Sequence, residues 1–447
     1  MTANGDPASL LGALLEKAKK AGADDADAVI MHGISLSASY RLGKPENLER
    51  SEGRDLGLRV LLGRRQAMVS TTDFADDALD TLVERAIAMA RAVPEDPYCG
   101  LIEPDQLARD WPDLELADAR EPEAEQLIDW ARRAEEAARA VPGVTNSEGG
   151  DAGWSRSRAA LATSSEFSGG YETSRFSFSV SVLAGTDTGM ERDYDWSSAC
   201  FEEDLDSPED IGKRAGERAV SRLNPQKAAS GAVPVVYDPR VSGGLIRHLS
   251  GAISGASVAR GTSFLKDLLH QPVFQSGVQV IDDPHRKRGL RSRPFDGEGA
   301  PTTERHIIED GALTTWILDS RSARQLNLRS TGHAARGTGG PPAPSPSNLY
   351  LAHGQLSPQA LMADIESGMY VTELIGMGVN GVTGDYSRGA SGYWIDKGEI
   401  AWPVSELTVA GNLKDMFAHL TPADDLIFRH GIDAPTLRID GMTVAGQ

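Results

Sequence analysis

The chain has 447 residues, of which 40% are apolar and 25% charged, a composition typical of a folded protein with about two domains. Its formal net charge of −20 makes nucleic acid an unfavourable partner, because phosphates would be repelled. The N-terminus lacks a secretory signal pattern, and no apolar run is long enough to cross a membrane, so we expect a cytoplasmic protein without membrane contact. The sequence has only two cysteines, Cys99 and Cys200, too few for a cysteine-rich zinc module.

The first half of the chain alternates between helical and strand patterns. A helix is predicted over residues 7–22, and another runs from Asp73 until Pro94 stops it. Between them, "ADAVIMHG" and "SLSASYR" are predicted as two strands, and "DLGLRVLLGRRQAMVSTTD" as a hairpin that turns at residues 63–65. A further helix is predicted for "EPEAEQLIDWARRAEEAARAVPG", with a buried stripe of Leu127, Trp130, Ala131, Ala134 and Ala138. Another is predicted for "PEDIGKRAGERAVSRL", with strand-like runs such as "RFSFSVSVLAG" between the two helices.

A domain boundary is predicted in "NPQKAASGAVPVVYDP", residues 224–239, where small and helix-breaking residues precede a new strand. Beyond it helical patterns are scarce. "IIEDGALTTWIL" and "WIDKGEIAWPV" contain an acidic-Gly and a Lys-Gly turn, respectively, between alternating flanks, a pattern typical of hairpins. The sequence therefore predicts an α+β fold. It consists of an N-terminal α/β domain with antiparallel hairpins in residues 1–230 and a C-terminal β-rich, barrel-like domain in residues 231–447.

Neither a dinucleotide-binding motif nor a serine-hydrolase motif is supported by the sequence. Gly376, Gly378 and Gly381 form G-x-G-x-x-G, but the following "VTGDYSRGASGYW" is too rich in Gly and Ser to start the helix that a dinucleotide pyrophosphate requires. A glycine-rich turn that lines a cleft is the better interpretation. The serines of "GAISG" and "GASGYW" miss the G-x-S-x-G spacing of a nucleophile elbow, which favours packing positions.

The one concentrated basic run is "HRKRGLRSR", residues 285–293. Charge runs usually face water, so a solvated loop is the simpler interpretation. The functional alternatives are a contact with an acidic partner or with a peptide carboxylate, whose geometry the guanidinium fork matches.

Metal ligation has little support from histidine spacing. None of the nine histidines is paired as H-x-H, H-x3-H or H-x4-H, so a structural role is favoured for each. His248 nevertheless lies in "LIRHLSGAISG", which looks like one half of a zincin helix. Leu249 stands where such a helix has Glu, and Ala252 or Ile253 stands where it has the second His.

From "LIRHLSGAISGASVARGTSFLKD" onward the chain resembles the TldD/PmbA metallopeptidase family, and specifically its PmbA (TldE) branch. The similarity continues through "RPFDGEGAPTTERHIIEDGAL", "STGHAARGTGGPPAPSPSNLYL" and "GVTGDYSRGASGYWIDKGEIAWPVSELTVAGNLKDMF". It also reaches back to "SEGRDLGLRVLLGRRQAMVSTTD". The resemblance thus covers almost the whole chain.

The resemblance implies a two-subunit cytoplasmic peptidase that degrades peptides and unfolded segments and removes leader peptides. In this family the TldD-like subunit carries the zinc motif H-E-x-x-x-H and a late cysteine ligand, and the PmbA-like subunit lacks them. By this resemblance His248 falls near the first motif position, Leu249 at the general base and Ile253 at the second His, and no cysteine follows Cys200. His333 stands where the family usually has Asn.

We therefore expect a non-catalytic, PmbA/TldE-like subunit that holds no metal or cofactor and pairs with a zinc-containing, TldD-like catalytic chain. Its substrate would be a peptide or unfolded polypeptide that adds as a strand to exposed edges. Candidate chamber residues are His248, as a vestigial motif position, and Gly384, Asp385, Tyr386 and Ser387. The rival interpretation is a standalone regulatory or binding protein of the gyrase-modulator type, and a third is an independent hydrolase with another site.

Overall fold

The computed structural model describes residues 6–446. Its helices are α1 (Pro7–Lys20), α2 (Asp76–Ala92), α3 (Ala124–Arg139), α4 (Pro208–Ser221), α5 (Pro239–Ala252), α6 (Gly255–Ala259), α7 (Ser320–Gln325), α8 (Pro358–Met362) and α9 (Leu413–Ala418). Its strands are β1 (Asp25–Arg41), β2 (Lys44–Leu62), β3 (Arg65–Thr71), β4 (Val144–Thr163), β5 (Ser168–Ala184), β6 (Glu191–Ala199), β7 (Gly231–Tyr237), β8 (Val280–Asp283), β9 (Arg305–Glu309), β10 (Ala312–Leu313), β11 (Ala334–Ala335), β12 (Ala343–Pro344), β13 (Asn348–Leu351), β14 (Ser367–Ile375), β15 (Asp385–Asp396), β16 (Glu399–Asn412), β17 (Leu420–Pro422), β18 (Ile432–Asp433) and β19 (Leu437–Ala445). Within this part of the chain no helix is long and apolar enough to cross a membrane.

The strands of the first half form one antiparallel sheet in the order β3-β2-β1-β4-β5-β6. The prediction of two strands in "ADAVIMHG" and "SLSASYR" is wrong, because both belong to the 17-residue β1. Gly33, the last residue of the first run, stays in the ladder and pairs with Gly53 on one side and Ser157 on the other. The predicted hairpin of β2 and β3 is confirmed, with Leu62 opposite Arg65.

Four helices cover one face of this sheet, because alternate strand residues are apolar. Helices α1 and α2 bury leucines and alanines against β1 and β2, and α3 and α4 pack on β1, β4 and β5. The predicted stripe of α3 is confirmed as buried at Leu127, Trp130, Ala131, Ala134 and Ala138. The opposite face carries mostly small and polar residues and faces the second half of the chain.

The second half contains a closed barrel and a smaller sheet. Strands β16, β15, β14, β7 and β19 follow one another, and β19 pairs back with β16, which closes five strands into a barrel. Only β14 and β7 run parallel within it. The second sheet has the order β10-β9-β8-β13-β18, and α5 contacts both β14 of the barrel and β18 of that sheet. The predicted α+β class with a barrel-like second half is confirmed.

A buried ionic cluster joins the two halves. Asp27 of β1 accepts hydrogen bonds from Arg59 Nε at 2.9 Å and from Arg336 Nη1 at 2.6 Å. The three side chains are between 1% and 4% exposed. Gly57 of β2 lies against the backbone of Thr338, where a Cβ atom would come within 2.4 Å of the carbonyl oxygen. These contacts fix the sheet against the loop that contains Arg336.

Candidate functional site

Helix α5 carries His248. The positions at which a zincin helix has its other catalytic residues are buried in the apolar core here. The helix begins after Asp238, whose carboxylate accepts a hydrogen bond from the backbone N–H of Arg240. Leu249 and Ile253 are both 0% exposed and pack in the main apolar core of the second half. Ile253 also closes the helix, because its backbone N–H donates to the carbonyl of Leu249.

These positions do not fit a zinc site. A catalytic zinc needs about three nitrogen, sulfur or oxygen ligands around an open position. Here His248 is the only candidate ligand in its stretch of α5, and its two counterparts are aliphatic side chains inside the core. Across residues 6–446 no three His, Cys, Asp or Glu side chains are grouped so that they could hold a metal ion.

The structure brings His248 and Tyr386 together. Their ring centroids are 6.1 Å apart with nearly perpendicular planes, the edge-to-face arrangement that aromatic rings prefer. Partial burial and then the positive charges of Arg388 and Arg247 lower the pKa of His248. The imidazole is therefore neutral at physiological pH and half-buried, which suits a wall residue better than a cationic anchor.

The other candidate residues lie at the start of β15, beneath a glycine-rich turn. Asp385 is exposed, and its carboxylate accepts hydrogen bonds from Thr383 Oγ1 at 2.6 Å and from Asn412 Nδ2 at 3.2 Å. Gly384 adopts φ +87°, and its N–H donates to the carbonyl of Asn380. Ser387 is exposed and its N–H donates to the carbonyl of Gly378 at 2.7 Å.

The G-x-G-x-x-G segment forms this turn and precedes strand β15, so it does not open a helix. A Cβ atom on Gly378 would lie 2.0 Å from the carbonyl oxygen of Ser387, so the glycine permits the turn to fold back onto the strand. The predicted glycine-rich turn is therefore observed.

A long groove between the two halves escaped the sequence analysis. Its first section has a volume of about 630 Å³ and its second about 570 Å³, and both are lined by Leu290. One wall is the uncovered sheet face, which presents Ser35, Ser155, Ser157 and Thr173 in the first section and Ser37, Ser177, Ser179 and Ser198 in the second. We call this space the serine groove.

The wall opposite the serines comes from the second half of the chain. Residues 290–293, Ser345 and Pro346 line the first section, and Arg429 and His430 line the second. A smaller cavity of about 110 Å³ adjoins the first section and is lined by Asp296 and Arg336. The alternation in "SLSASYR" and "RFSFSVSVLAG" signals the serine face, but strand alternation alone does not tell whether such a face meets solvent or another domain.

The basic run at residues 285–293 is a loop, as predicted, but it does not simply face water. Lys287 pairs with Glu115, and Arg288 Nη1 lies 2.6 Å from Glu203 Oε1. The guanidinium of Arg286 lies 3.5 Å from the centre of the Phe428 ring. The loop thus ties the two halves together at one end and lines the serine groove at the other.

His333 has a structural role in the core of the second half. It is buried, with Nε2 3.1 Å from Asp282 Oδ2 and Nδ1 2.9 Å from Thr331 Oγ1. Burial opposes the charge of Asp282, but the hydrogen bonds with His333 and Ser347 lower the pKa of its carboxyl overall. His333 therefore links β8 to the loop before β11.

Comparisons with known proteins agree with this architecture. Sequence models described as PmbA/TldA metallopeptidase domain 1, central domain and C-terminal domain match residues 26–90, 117–223 and 230–446. Metalloprotease PmbA of Escherichia coli O157:H7 is 39% identical over 426 residues, which cover 95% of this chain and 93% of that protein.

Solved structures match the whole fold. A Bacteroides thetaiotaomicron protein, described as a candidate modulator of DNA gyrase, superposes with a TM-score of 0.90 at 25% identity and covers 98% of both chains. TldE from Thermococcus kodakarensis superposes with a TM-score of 0.88 at 19% identity, over 98% of this chain and 100% of that one. With its three matching domain models and its close full-length relative, the chain belongs to the PmbA/TldD metallopeptidase family.

Proposed function

We propose that this chain is the non-catalytic, TldE-like subunit of a cytoplasmic, two-subunit TldD/TldE-type zinc metallopeptidase that cleaves peptides and unfolded segments, including leader peptides. The observation that carries the proposal is the position of Leu249 and Ile253 in the apolar core. A helix in this setting contributes to stability and leaves no room for a general base or a second zinc ligand. Zinc and the base would come from a TldD-like partner.

The chain would contribute part of the wall that encloses the substrate. His248 and residues 384–387 remain the candidate wall residues near α5, although Tyr386 is 2% exposed and belongs to the apolar core. The serine groove adds a larger polar surface. The barrel is closed, so its five strands offer few free edges for an added peptide strand. In the first sheet, β3 and β6 each pair on one side only and are the edges that suit strand addition.

The test is a comparison of this chain alone, a TldD-like chain alone and the two together. Zinc content is measured by mass spectrometry, and cleavage is followed with an unstructured peptide. We expect zinc to accompany the TldD-like chain and cleavage to require both. The His248→Ala variant should leave the zinc content of the complex unchanged, whereas stoichiometric zinc and cleavage in this chain alone would overturn the proposal.

A standalone regulatory function is the second candidate, favoured by the description of the Bacteroides protein as a candidate gyrase modulator. It requires a stable complex with a gyrase subunit. Affinity purification of this chain should retain a TldD-like chain if the first proposal is correct, and a gyrase subunit in its place if the second is.

A further inference from the structure

Three arginines that line the serine groove form no ion pair with any carboxylate of residues 6–446. They are Arg291 and Arg293 in the first section and Arg175 in the second. The chain has 65 acidic residues against 45 basic ones, and Arg288 of the same loop pairs with Glu115, Glu203 and Asp204. The groove therefore presents guanidinium groups that no carboxylate of the described residues pairs with, although the chain as a whole is acidic.

Neutral acceptors hold these arginines in place. Arg291 Nε donates to the carbonyl of Ser347 at 3.1 Å, and its Nη2 donates to the carbonyl of Pro346 at 3.0 Å. Its aliphatic stem packs on Gly431, where a Cβ atom would come within 2.5 Å of it. Arg293 donates to the carbonyl of Ala334 at 3.3 Å, and its Nε is buried without a hydrogen-bond partner. The guanidinium groups are oriented by these bonds. The buried carboxylates of Asp282 and Asp296 attract them electrostatically but form no ion pair with them.

We propose that the serine groove binds a peptide that bears a carboxylate, and that Arg291 holds that carboxylate. A guanidinium group offers paired N–H donors that match a carboxylate, and bonds between charged groups are about twice as strong as neutral ones. Arg291 is exposed in the groove, so an incoming ligand can reach it.

The charges of the groove favour an anion. Asp55 and Asp151 also line it, one in each section. Arg158 shares the first section but pairs with Glu172 at 3.2 Å. In the second section, Arg175 offsets the charge of Asp151. In the first section, Arg291 and Arg293 together outnumber Asp55, so the charge left outside ion pairs there is positive.

The dimensions of the groove favour a peptide over a small anion. It crosses β2, β1, β4 and β5 and reaches β6, and with strands about 4.8 Å apart this is a path of about 19 Å. An extended chain of about six residues has that length, at about 3.3 Å per residue. Hydroxyl groups can donate to backbone carbonyls and accept from N–H groups, so the serine face suits a peptide backbone of any sequence.

The inference takes from the proposed function that the ligand is a peptide; the carboxylate preference is argued from the groove itself. It is tested by isothermal titration calorimetry of the full chain alone, without partner or zinc, against three acetylated hexapeptides of Ala, Ser and Gly. One has a free C-terminal carboxylate, one is amidated, and one is amidated but contains two Glu residues. The first and third distinguish a terminal carboxylate from a side-chain carboxylate.

We expect at least one carboxylate-bearing peptide to bind about tenfold more tightly than the neutral one, since a charge-assisted pair contributes that much. Arg291→Gln should abolish the difference, and Arg291→Lys should restore part of it. Arg139→Gln is the matched control, because Arg139 is exposed at the end of α3 and lines neither section of the groove. Unchanged unfolding temperatures establish that the variants fold.

Three results would overturn the inference. They are equal affinities for the charged and neutral peptides, an Arg291→Gln variant that retains the preference, and displacement of the peptide by inorganic phosphate at the same concentration. The last result would assign the arginines to a free anion. Peptide cleavage by the chain alone would contradict the proposed function and leave the carboxylate preference intact, so the two failures are distinguishable.

Discussion

Asp27→Asn should strongly destabilise the fold, because Asp27 is the shared counterion of two buried arginines. Asp27 is 1% exposed, Arg59 4% and Arg336 2%. The Nε and Nη2 atoms of Arg336 are buried without hydrogen-bond partners within residues 6–446. The positive charge of Arg336 is therefore balanced through its hydrogen bond to Asp27. Burial opposes the charge of Asp27, but Arg59 and Arg336 lower the pKa of its carboxyl overall, which keeps it ionised at neutral pH.

Removing one member of a buried charge cluster costs about 3–5 kcal/mol, because the charges that remain have no compensation. Here one carboxylate neutralises two guanidinium groups, so we expect a loss in the upper part of that range. Urea unfolding followed by tryptophan fluorescence measures the free energy of unfolding. A double variant with Arg336→Gln should lose less than the sum of the two single losses, because the side chains are in direct contact.

The matched control is Glu121→Gln. Glu121 accepts a hydrogen bond from Arg50 at 2.7 Å, but these side chains are 41% and 51% exposed. Exposed pairs of this kind contribute about 0–1 kcal/mol. A loss below about 1 kcal/mol for Asp27→Asn, equal to that of the control, would refute the assignment of this cluster as the main ionic link between the halves.

Three further variants test other parts of the structure. Burial and a neighbouring carboxylate raise the pKa of Glu298 to about 7, so its protonated form contributes stability at low pH that is lost as the pH rises from about 4.5 to 7. Thermal unfolding between pH 5 and 8 should therefore show the native chain losing stability relative to Glu298→Gln, by up to about 1.4 kcal/mol per pH unit, whereas parallel profiles would contradict this. Leu249→Glu buries a charge in the core and should lower the free energy of unfolding, measured in urea, by at least about 3 kcal/mol. The control Arg247→Glu, at an exposed position of α5, should lower it by less than about 0.5 kcal/mol. Gly212→Ala should lower the unfolding temperature, because the new Cβ atom would lie 2.1 Å from a carbonyl oxygen of α3. Gly12→Ala, where no atom lies within 4 Å of the new Cβ, should raise the free energy of unfolding by about 0.5–1 kcal/mol. The reverse order would refute the packing argument.

Local patterns predicted much of the fold because helices and hairpins are specified by nearby residues. The stripe of α3 and the turn at Lys397 and Gly398 are set by spacing and turn chemistry, and both are observed. Strand length was harder to predict. Gly33 interrupts the alternation of β1, and only its partners on β2 and β4 show that the strand continues.

The candidate site was predictable only in part, for a physical reason. The aliphatic residues at 249 and 253 are visible in the sequence, and their burial follows from their position on α5. The meeting of His248 with Tyr386 depends on how α5 packs against the barrel. The serine groove depends on contacts between residues more than 100 positions apart, such as the hydrogen bond from Arg175 to the carbonyl of Leu290, and no local pattern encodes these.

The central claim is that this chain belongs to a metallopeptidase in which the zinc and the catalytic base lie in another subunit. The most direct measurement is the zinc content and peptide cleavage of the purified chain before and after addition of a TldD-like chain. The account predicts that this chain alone holds no stoichiometric zinc and cleaves nothing, and that the mixture cleaves an unstructured peptide. Stoichiometric zinc in this chain alone, with cleavage that the added subunit does not increase, would contradict it.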